Sequence, residues 1–256
     1  MRRVLTALVL FPVAVYGTFF ASQAVFIAIV AVMALLCFHE YCGIVAAHGI
    51  EHPGWLSYVA GLLVLLNPAP IVIAGIALLA APLHGREMAR VLPAAAAAVF
   101  GVVYVFGAWR TAIDLRALSP QWLFFALAIN FVGDIAAYYT GRAIGRHKLA
   151  PAISPGKSWE GAAASMIAAI IFGVLWRPRL GSGIAFAEVI LLAMAGNIAG
   201  QVGDLAESAI KRGAGLKDSG TLLPGHGGFL DRLDSSLFSM PVVYWLHTAA
   251  SAVVPV

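Results

Sequence analysis

Between Ser208 and Asp234 the chain gathers Lys211, Arg212, Lys217, Asp218, His226, Asp231, Arg232 and Asp234 among a run of glycines. Cations and carboxylates at that density suit the handling of a metal–polyphosphate complex. The carboxylates offer oxygen ligands to Mg²⁺, and Lys or Arg neutralises the phosphate oxygens that the metal does not. Salt bridging among the same side chains is the plainer alternative. The background sharpens the choice: 61% of the residues are hydrophobic and only 11% charged, so a stretch this polar has no part in filling a membrane and must face water, metal or an anion. Inside it, Pro224-Gly225-His226-Gly227-Gly228 reads as a tight turn whose glycines let backbone N–H groups approach an anion. His226 could serve as a general acid or phosphate donor, or simply fix the turn.

Two further carboxylates stand in apolar surroundings upstream. Asn130, Asp134, Tyr138 and Arg142 recur every fourth residue and share one helix face. Gly133, Ala137, Gly141 and Gly145 form a small-residue seam beside them. Asn197, Gln201, Asp204, Ser208 and Lys211 repeat the arrangement next to Gly196, Gly200 and Gly203. Val132-Gly133-Asp134-Ile135-Ala136 and Val202-Gly203-Asp204-Leu205-Ala206 even share their wording, through coincidence or an internal repeat. Both aspartates fall about 12 Å of helix below the following basic residues, at 1.5 Å per residue. An intramembrane carboxylate costs several kcal/mol unless a cation, metal or water relieves it, which singles out Asp134, Asp204 and Glu207 within helices and Asp231 and Asp234 just outside them.

Gly156-Lys157-Ser158 imitates the end of a phosphate-binding loop, but the glycine required five residues earlier is Pro151, and no strand is expected before it. What remains is a turn, Ser154 to Gly161, into a helix. Ser154 and Lys157 are candidate phosphate contacts, Lys157 as a point charge at a helix start.

The elements that must hold these residues are membrane helices. The apolar runs lack the alternation of barrel strands, leaving helices as the spanning element. Nine spans are expected: Val4–Phe20, Ala24–Glu40, Trp55–Leu66, Ile71–Leu83, Val91–Trp109, Gln121–Gly145, Trp159–Trp176, Ile184–Ile210 and Ser235–Val254, the third and fourth short for a bilayer. The first is expected to be an uncleaved span rather than a secretory signal. A cytoplasmic N-terminus leaves only Arg110, Arg116, Arg177 and Arg179 of the 16 basic residues outside, which places both polar segments of the second half in the cytoplasm. Cys37 and Cys42 fit neither a disulfide nor a metal site. His39, Glu40, His48, Glu51 and His52 have no zinc spacing and are read as interfacial polar residues at a helix end. One membrane domain over 1–256 is expected, with an apolar helical half, 1–120, and a catalytic half, 121–256.

The pattern from Ser208 to Asp234, Ser-x-x-Lys-Arg, four residues, then Lys-Asp-x-Gly-x-x-Leu-Pro-x-His-Gly-Gly-x-x-Asp-Arg-x-Asp, closely resembles the signature of phosphatidate cytidylyltransferases, the CDP-diacylglycerol synthases. Gly133 to Tyr138 and Ser154 to Gly161 look like further motifs of that family, with Ser158 where many relatives have threonine. The likeness covers about residues 130–235. It implies transfer of a cytidylyl group from CTP to phosphatidate with Mg²⁺, one or two ions, giving CDP-diacylglycerol and pyrophosphate. On that resemblance Asp204, Asp231, Lys211, Arg232 and His226 are the expected catalytic residues, and Asp204, Asp231 and Asp134 the expected metal ligands, with Asp204 the direct one. Lys157, Ser154, Ser208, Arg212, Lys217, Gly227 and Gly228 are the expected substrate contacts. The lipid phosphate is already an anion, so no protein nucleophile is needed; positioning and electrostatics suffice. A transporter for an anionic lipid or metabolite and a CTP-dependent lipid kinase are the alternatives. Membrane lipid is an expected partner and nucleic acid is not. The small-residue seams suit internal packing or a homodimer.

Overall fold

The computed structural model describes residues 12–81, 87–181, 183–223 and 227–253. His226 and residues 4–11 of the first expected span, Val4–Phe20, lie outside them, as does the end of the fourth at Leu83. Residues 12–19 are helical (α1). They are followed by α2 (Gln23–Ala47), α3 (Gly54–Leu66), α4 (Ile71–Ala80) and α5 (Met88–Gly101), which continues through a π-helical segment (Val102–Gly107) into α6 (Ala108–Leu118). Next come α7 (Pro120–Ile144), strands β1 (Lys148–Ala150) and β2 (Ser154–Ser158), α8 (Trp159–Leu180), α9 (Phe186–Gly213), a 3₁₀ turn (Leu230–Arg232) and α10 (Asp234–Val253).

Among the described residues five helices are long and apolar enough to cross a membrane: Gln23–Ala47, Met88–Leu118, Pro120–Ile144, Trp159–Leu180 and Phe186–Gly213, with Gly54–Leu66 and Ile71–Ala80 as shorter apolar helices. This is an all-α, multi-pass membrane protein, coarser than the nine spans expected. The expected fifth span, Val91–Trp109, runs on to Leu118, and Arg110 shows why a polar residue is accepted there. Its Nη1 donates at 2.7 Å to the carbonyl of Leu66, satisfying the open end of α3.

The chain forms two compact units interleaved in sequence. One comprises residues up to Ile113 together with Ile210–Leu233, the other Asp114–Ala209 together with residues from Asp234. In the first, Phe38, Ile44, Leu65, Leu78 and Phe106 are fully buried. The Phe106 ring lies where a Cβ on Gly61 would fall, and the Phe38 and Phe106 centroids are 5.1 Å apart. Such close fits matter because lipid tails are as apolar as the side chains, so packing rather than escape from water holds the helices.

In the second unit α7 and α8 pack along their length, joined by the antiparallel β1–β2 hairpin, where the sequence suggests only a turn. Local capping builds the hairpin. Ser158 caps α8 by accepting from the N–H of Gly161 at 3.2 Å, and Gly141 and Gly145 leave room for its hydroxyl. The carboxylate of Glu160 accepts from the N–H groups of Arg146 and His147, both at 3.2 Å, which fastens the exit of α7 to the start of α8.

Candidate active site

In the second unit a cavity of 470 Å³ opens between α7, β2, α8 and α9. Asp134, Tyr138 and Arg142 line it from one face of α7, Ser154 and Lys157 from β2, Ser165 from α8, and Gln201 and Asp204 from α9. The volume lies within the range of small-molecule sites. Lys157 Nζ meets Asp204 Oδ2 at 2.6 Å, with the two side chains 26% and 31% exposed, and Ser208 donates its hydroxyl to Asp204 Oδ1 at 3.3 Å. Arg142 Nη1 donates to the Tyr138 hydroxyl at 3.2 Å. Two carboxylates and two cations therefore share one accessible cavity.

A satisfied amide network holds its floor. Asn197 Nδ2 donates to the carbonyl of Ile129 at 3.3 Å and to Ser165 Oγ at 3.0 Å. Gln201 Nε2 donates to the carbonyl of Ala162 at 3.2 Å and to Asn197 Oδ1 at 2.8 Å. A buried network in which each amide hydrogen finds an acceptor ties α9 to α7 and α8 in one register. The matching Val-Gly-Asp segments do different work in it: Gly133 makes room for Ser165 and Asn197, whereas Gly203 makes room for Phe238 and the carbonyl of Asp234.

The first unit holds the signature residues from Lys211 to Leu233. The Lys211 ammonium is hydrogen-bonded to Asp231 Oδ1, and the two side chains are only 8% and 7% exposed. Asp231 also accepts the N–H of Ser219 at 2.9 Å and that of Gly228 at 2.7 Å. Burial pushes the Asp231 carboxyl up, but Lys211 and the Gly228 and Ser219 N–H groups outweigh it and hold the group below its ordinary value. Gly227 sits at φ +78°, where a Cβ would lie 2.7 Å from Asp231 Oδ2, and its carbonyl accepts from the N–H of Leu223 at 3.0 Å. The turn's Gly228 N–H, expected to face a substrate anion, thus serves the chain's own carboxylate. Lys217, Arg212 and Arg232 are exposed, Arg212 donating to the carbonyl of Leu216 at 3.2 Å.

The reading of Glu40 and His48 as interfacial polar residues changes here. Glu40, 4% exposed, accepts from the Ser219 hydroxyl at 2.9 Å, the N–H of Phe229 at 3.0 Å and that of Leu230 at 2.8 Å. His48 Nε2 bonds the carbonyl of Ile210 at 2.9 Å, so that nitrogen carries the proton. Helix α2 therefore grips the signature segment at two points. A signal for Glu40 existed: it is a carboxylate in an apolar span, the same cost that marks Asp134 and Asp204.

The model of the cytidylyltransferase family matches residues 1–250, nearly the whole chain. The chain belongs to that family. A phosphatidate cytidylyltransferase of Pseudomonas aeruginosa is 36% identical over 273 residues, covering 97% of each chain. One from Bacillus subtilis is 37% identical over 147 residues, 56% of this chain and 55% of its own length, and one from Brucella suis is 46% identical over 120 residues, 47% and 44%. The chain thus spans about half the length of the Bacillus and Brucella cytidylyltransferases that it matches, and nearly all of the Pseudomonas one.

Of the residues expected to act, Ser154, Lys157, Asp134 and Asp204 are gathered around the cavity, with Ser208 bonded to Asp204. Lys211, Asp231, Gly227 and Gly228 form a separate cluster in the first unit. Among the described residues no group of three or more His, Cys, Asp or Glu side chains is placed to hold a metal ion. The cavity's donor set nonetheless fits Mg²⁺, which is bound through one or two carboxylates together with substrate phosphates and water.

Proposed function

We propose that this protein transfers the cytidylyl group of CTP to phosphatidate, giving CDP-diacylglycerol and pyrophosphate. The observation that carries the reading is the similarity to the Pseudomonas phosphatidate cytidylyltransferase along 97% of both chains. The cavity supports it, because carboxylates and cations stand together where a triphosphate needs both. In this reading Lys157 leaves Asp204 for a phosphate oxygen of CTP, Ser154 donates a hydrogen bond beside it, and Arg142 receives the anionic lipid head at the Tyr138 side of the cavity. Asp204, with Asp134, would hold Mg²⁺, which supplies charge neutralisation at the α-phosphorus and on the departing pyrophosphate. A phosphatidate oxygen attacks the α-phosphorus; the P–O bond to the β-phosphate breaks, and its electron pair leaves on pyrophosphate. Asp231 and Lys211 would offer a second carboxylate and a phosphate contact in the signature segment, with Arg212, Lys217 and Arg232 as exposed cations nearby in sequence and His226 as a further candidate.

The basic residues support a cytoplasmic N-terminus and cytoplasmic access to the cavity in a bacterial plasma membrane, because most of them fall on the segments that this orientation places inside. The nine-span count belongs to the same proposal. Purified protein in phosphatidate-containing micelles with CTP and Mg²⁺ tests the chemistry. CDP-lipid and pyrophosphate in equal amounts are expected. A new lipid phosphate with release of CDP would make it a kinase, and no covalent product at all would favour transport; either result overturns the reading.

A further inference from the structure

We propose that Glu40 is a positioning residue of the signature loop, a resident carboxylate that occupies the backbone donors next to Asp231 and thereby fixes where Asp231 points. Three successive N–H groups are divided between two acids. Gly228 donates to Asp231, while Phe229 and Leu230 donate to Glu40. Ser219 is shared in the same way, its N–H to Asp231 and its hydroxyl to Glu40. The loop is thus strung between one carboxylate from α2 and one of its own. Without Glu40, three donors lose their acceptor, while Asp231 keeps the N–H groups of Ser219 and Gly228.

Two glycines of the motif are explained by Glu40. A Cβ on Gly220 would lie 2.6 Å from Glu40 Oε1, and one on Gly228 would collide with Ser219 Oγ and the Glu40 carboxylate. Their small size gives a carboxylate, rather than a substrate, access to the backbone. The acid is specifically required because all three partners are donors: an ionised carboxylate accepts on both oxygens, whereas a glutamine would turn its own NH₂ against one of them. The cost of holding a charge in a mostly apolar helix is offset only while those donors stay in place.

The turnover arm of the test rests on the cytidylyltransferase reading; the exchange arm does not. Glu40→Gln, Glu40→Asp and Ser219→Ala are made in the full-length protein and compared by amide hydrogen exchange and by kcat and KM for CTP and phosphatidate. Hydrogen bonds to a charged acceptor are worth enough that Glu40→Gln should speed exchange at Phe229 and Leu230 about tenfold or more, with α7 to α9 unchanged. Turnover should fall by a similar factor of about ten while the phosphatidate KM stays within about twofold, the pattern of a misdirected group rather than a lost binding contact. Glu40→Asp, which keeps the charge, should recover part of both. Ser219→Ala, which keeps the N–H on Asp231, should shift exchange less in the same direction, and it decides the matter if Glu40→Gln does not fold. Unchanged exchange at Phe229 and Leu230, or a rise in KM with kcat intact, overturns the proposal. If the wild-type protein makes no CDP-lipid, the functional reading fails, and exchange alone still decides the role of Glu40.

Discussion

Asp231 and Asp204 each face a lysine, yet the two ion pairs are built for opposite ends. Asp231 and Lys211 are almost wholly enclosed, and the carboxylate accepts backbone N–H groups from Ser219 and Gly228 as well. Asp204 and Lys157 stay roughly a quarter to a third exposed at the cavity, with one serine hydroxyl besides. Removing one member of an enclosed pair strands a charge and costs about 3–5 kcal/mol, whereas exposed pairs contribute about 0–1 kcal/mol. The first pair is therefore a fixture of its loop. The second can open for a ligand without harm to the fold, as a substrate site requires.

Lys211→Ala is the strongest attempt to break this contrast. It should lower unfolding free energy in detergent by about 3–5 kcal/mol, and Lys211→Ala combined with Asp231→Asn should recover much of that loss without recovering turnover. A stable single variant would mean that the enclosed pair is as adjustable as the exposed one. Next in size is Asp204→Asn, expected to cut turnover by about 10²-fold or more while the melting temperature moves little. Asp134→Asn should do less, because Asp134 bears no ion pair with Lys157. Lys157→Ala should raise the KM for CTP by about tenfold, one phosphate contact's worth, and leave stability nearly unchanged. If it melted the protein, the two pairs would not differ in kind.

The smallest effect is on pH. Asp231 is held below its ordinary value in the folded protein, so its contribution to stability is present above the ordinary carboxylate pKa of about 4 and is lost as pH falls through the folded value. Protection of the Ser219 and Gly228 amides, relative to the intrinsic exchange rate at each pH, should fall on acidification below about pH 4, and Asp231→Asn should flatten that dependence. The open pair at the cavity should leave the loop's profile untouched.

What could be read in advance follows from which forces are local. Helical spacing alone placed Asn130, Asp134, Tyr138 and Arg142 on one face, and apolar length marked the membrane helices. The β1–β2 hairpin was not visible, because it depends on Glu160 reaching back to the N–H groups of Arg146 and His147. Nor does any local spacing show that the signature residues Lys211 to Leu233 fold in one unit with residues up to Ile113. Glu40 was read as an interfacial polar residue because its partners lie far along the chain and two of them are backbone N–H groups, which leave no trace in a residue pattern. Of the glycines that admit it, Gly228 was read as part of a turn and Gly220 only as a member of the signature pattern.

The distance along the chain between Glu40 and its partners also sets an order of assembly. Glu40 is synthesised 179 residues ahead of Ser219. At about 5–20 residues per second, roughly 10–35 s pass on the ribosome before the loop exists. Over that interval α2 must carry an acid into the bilayer with no donor to receive it, at a cost of about 2.5–3.5 kcal/mol were it at mid-membrane. Glu40 stands seven residues before the end of α2 at Ala47, about 10 Å along the helix axis. A chain truncated or stalled before Ser219 therefore carries an α2 whose carboxylate lacks all three of the donors that the folded protein gives it.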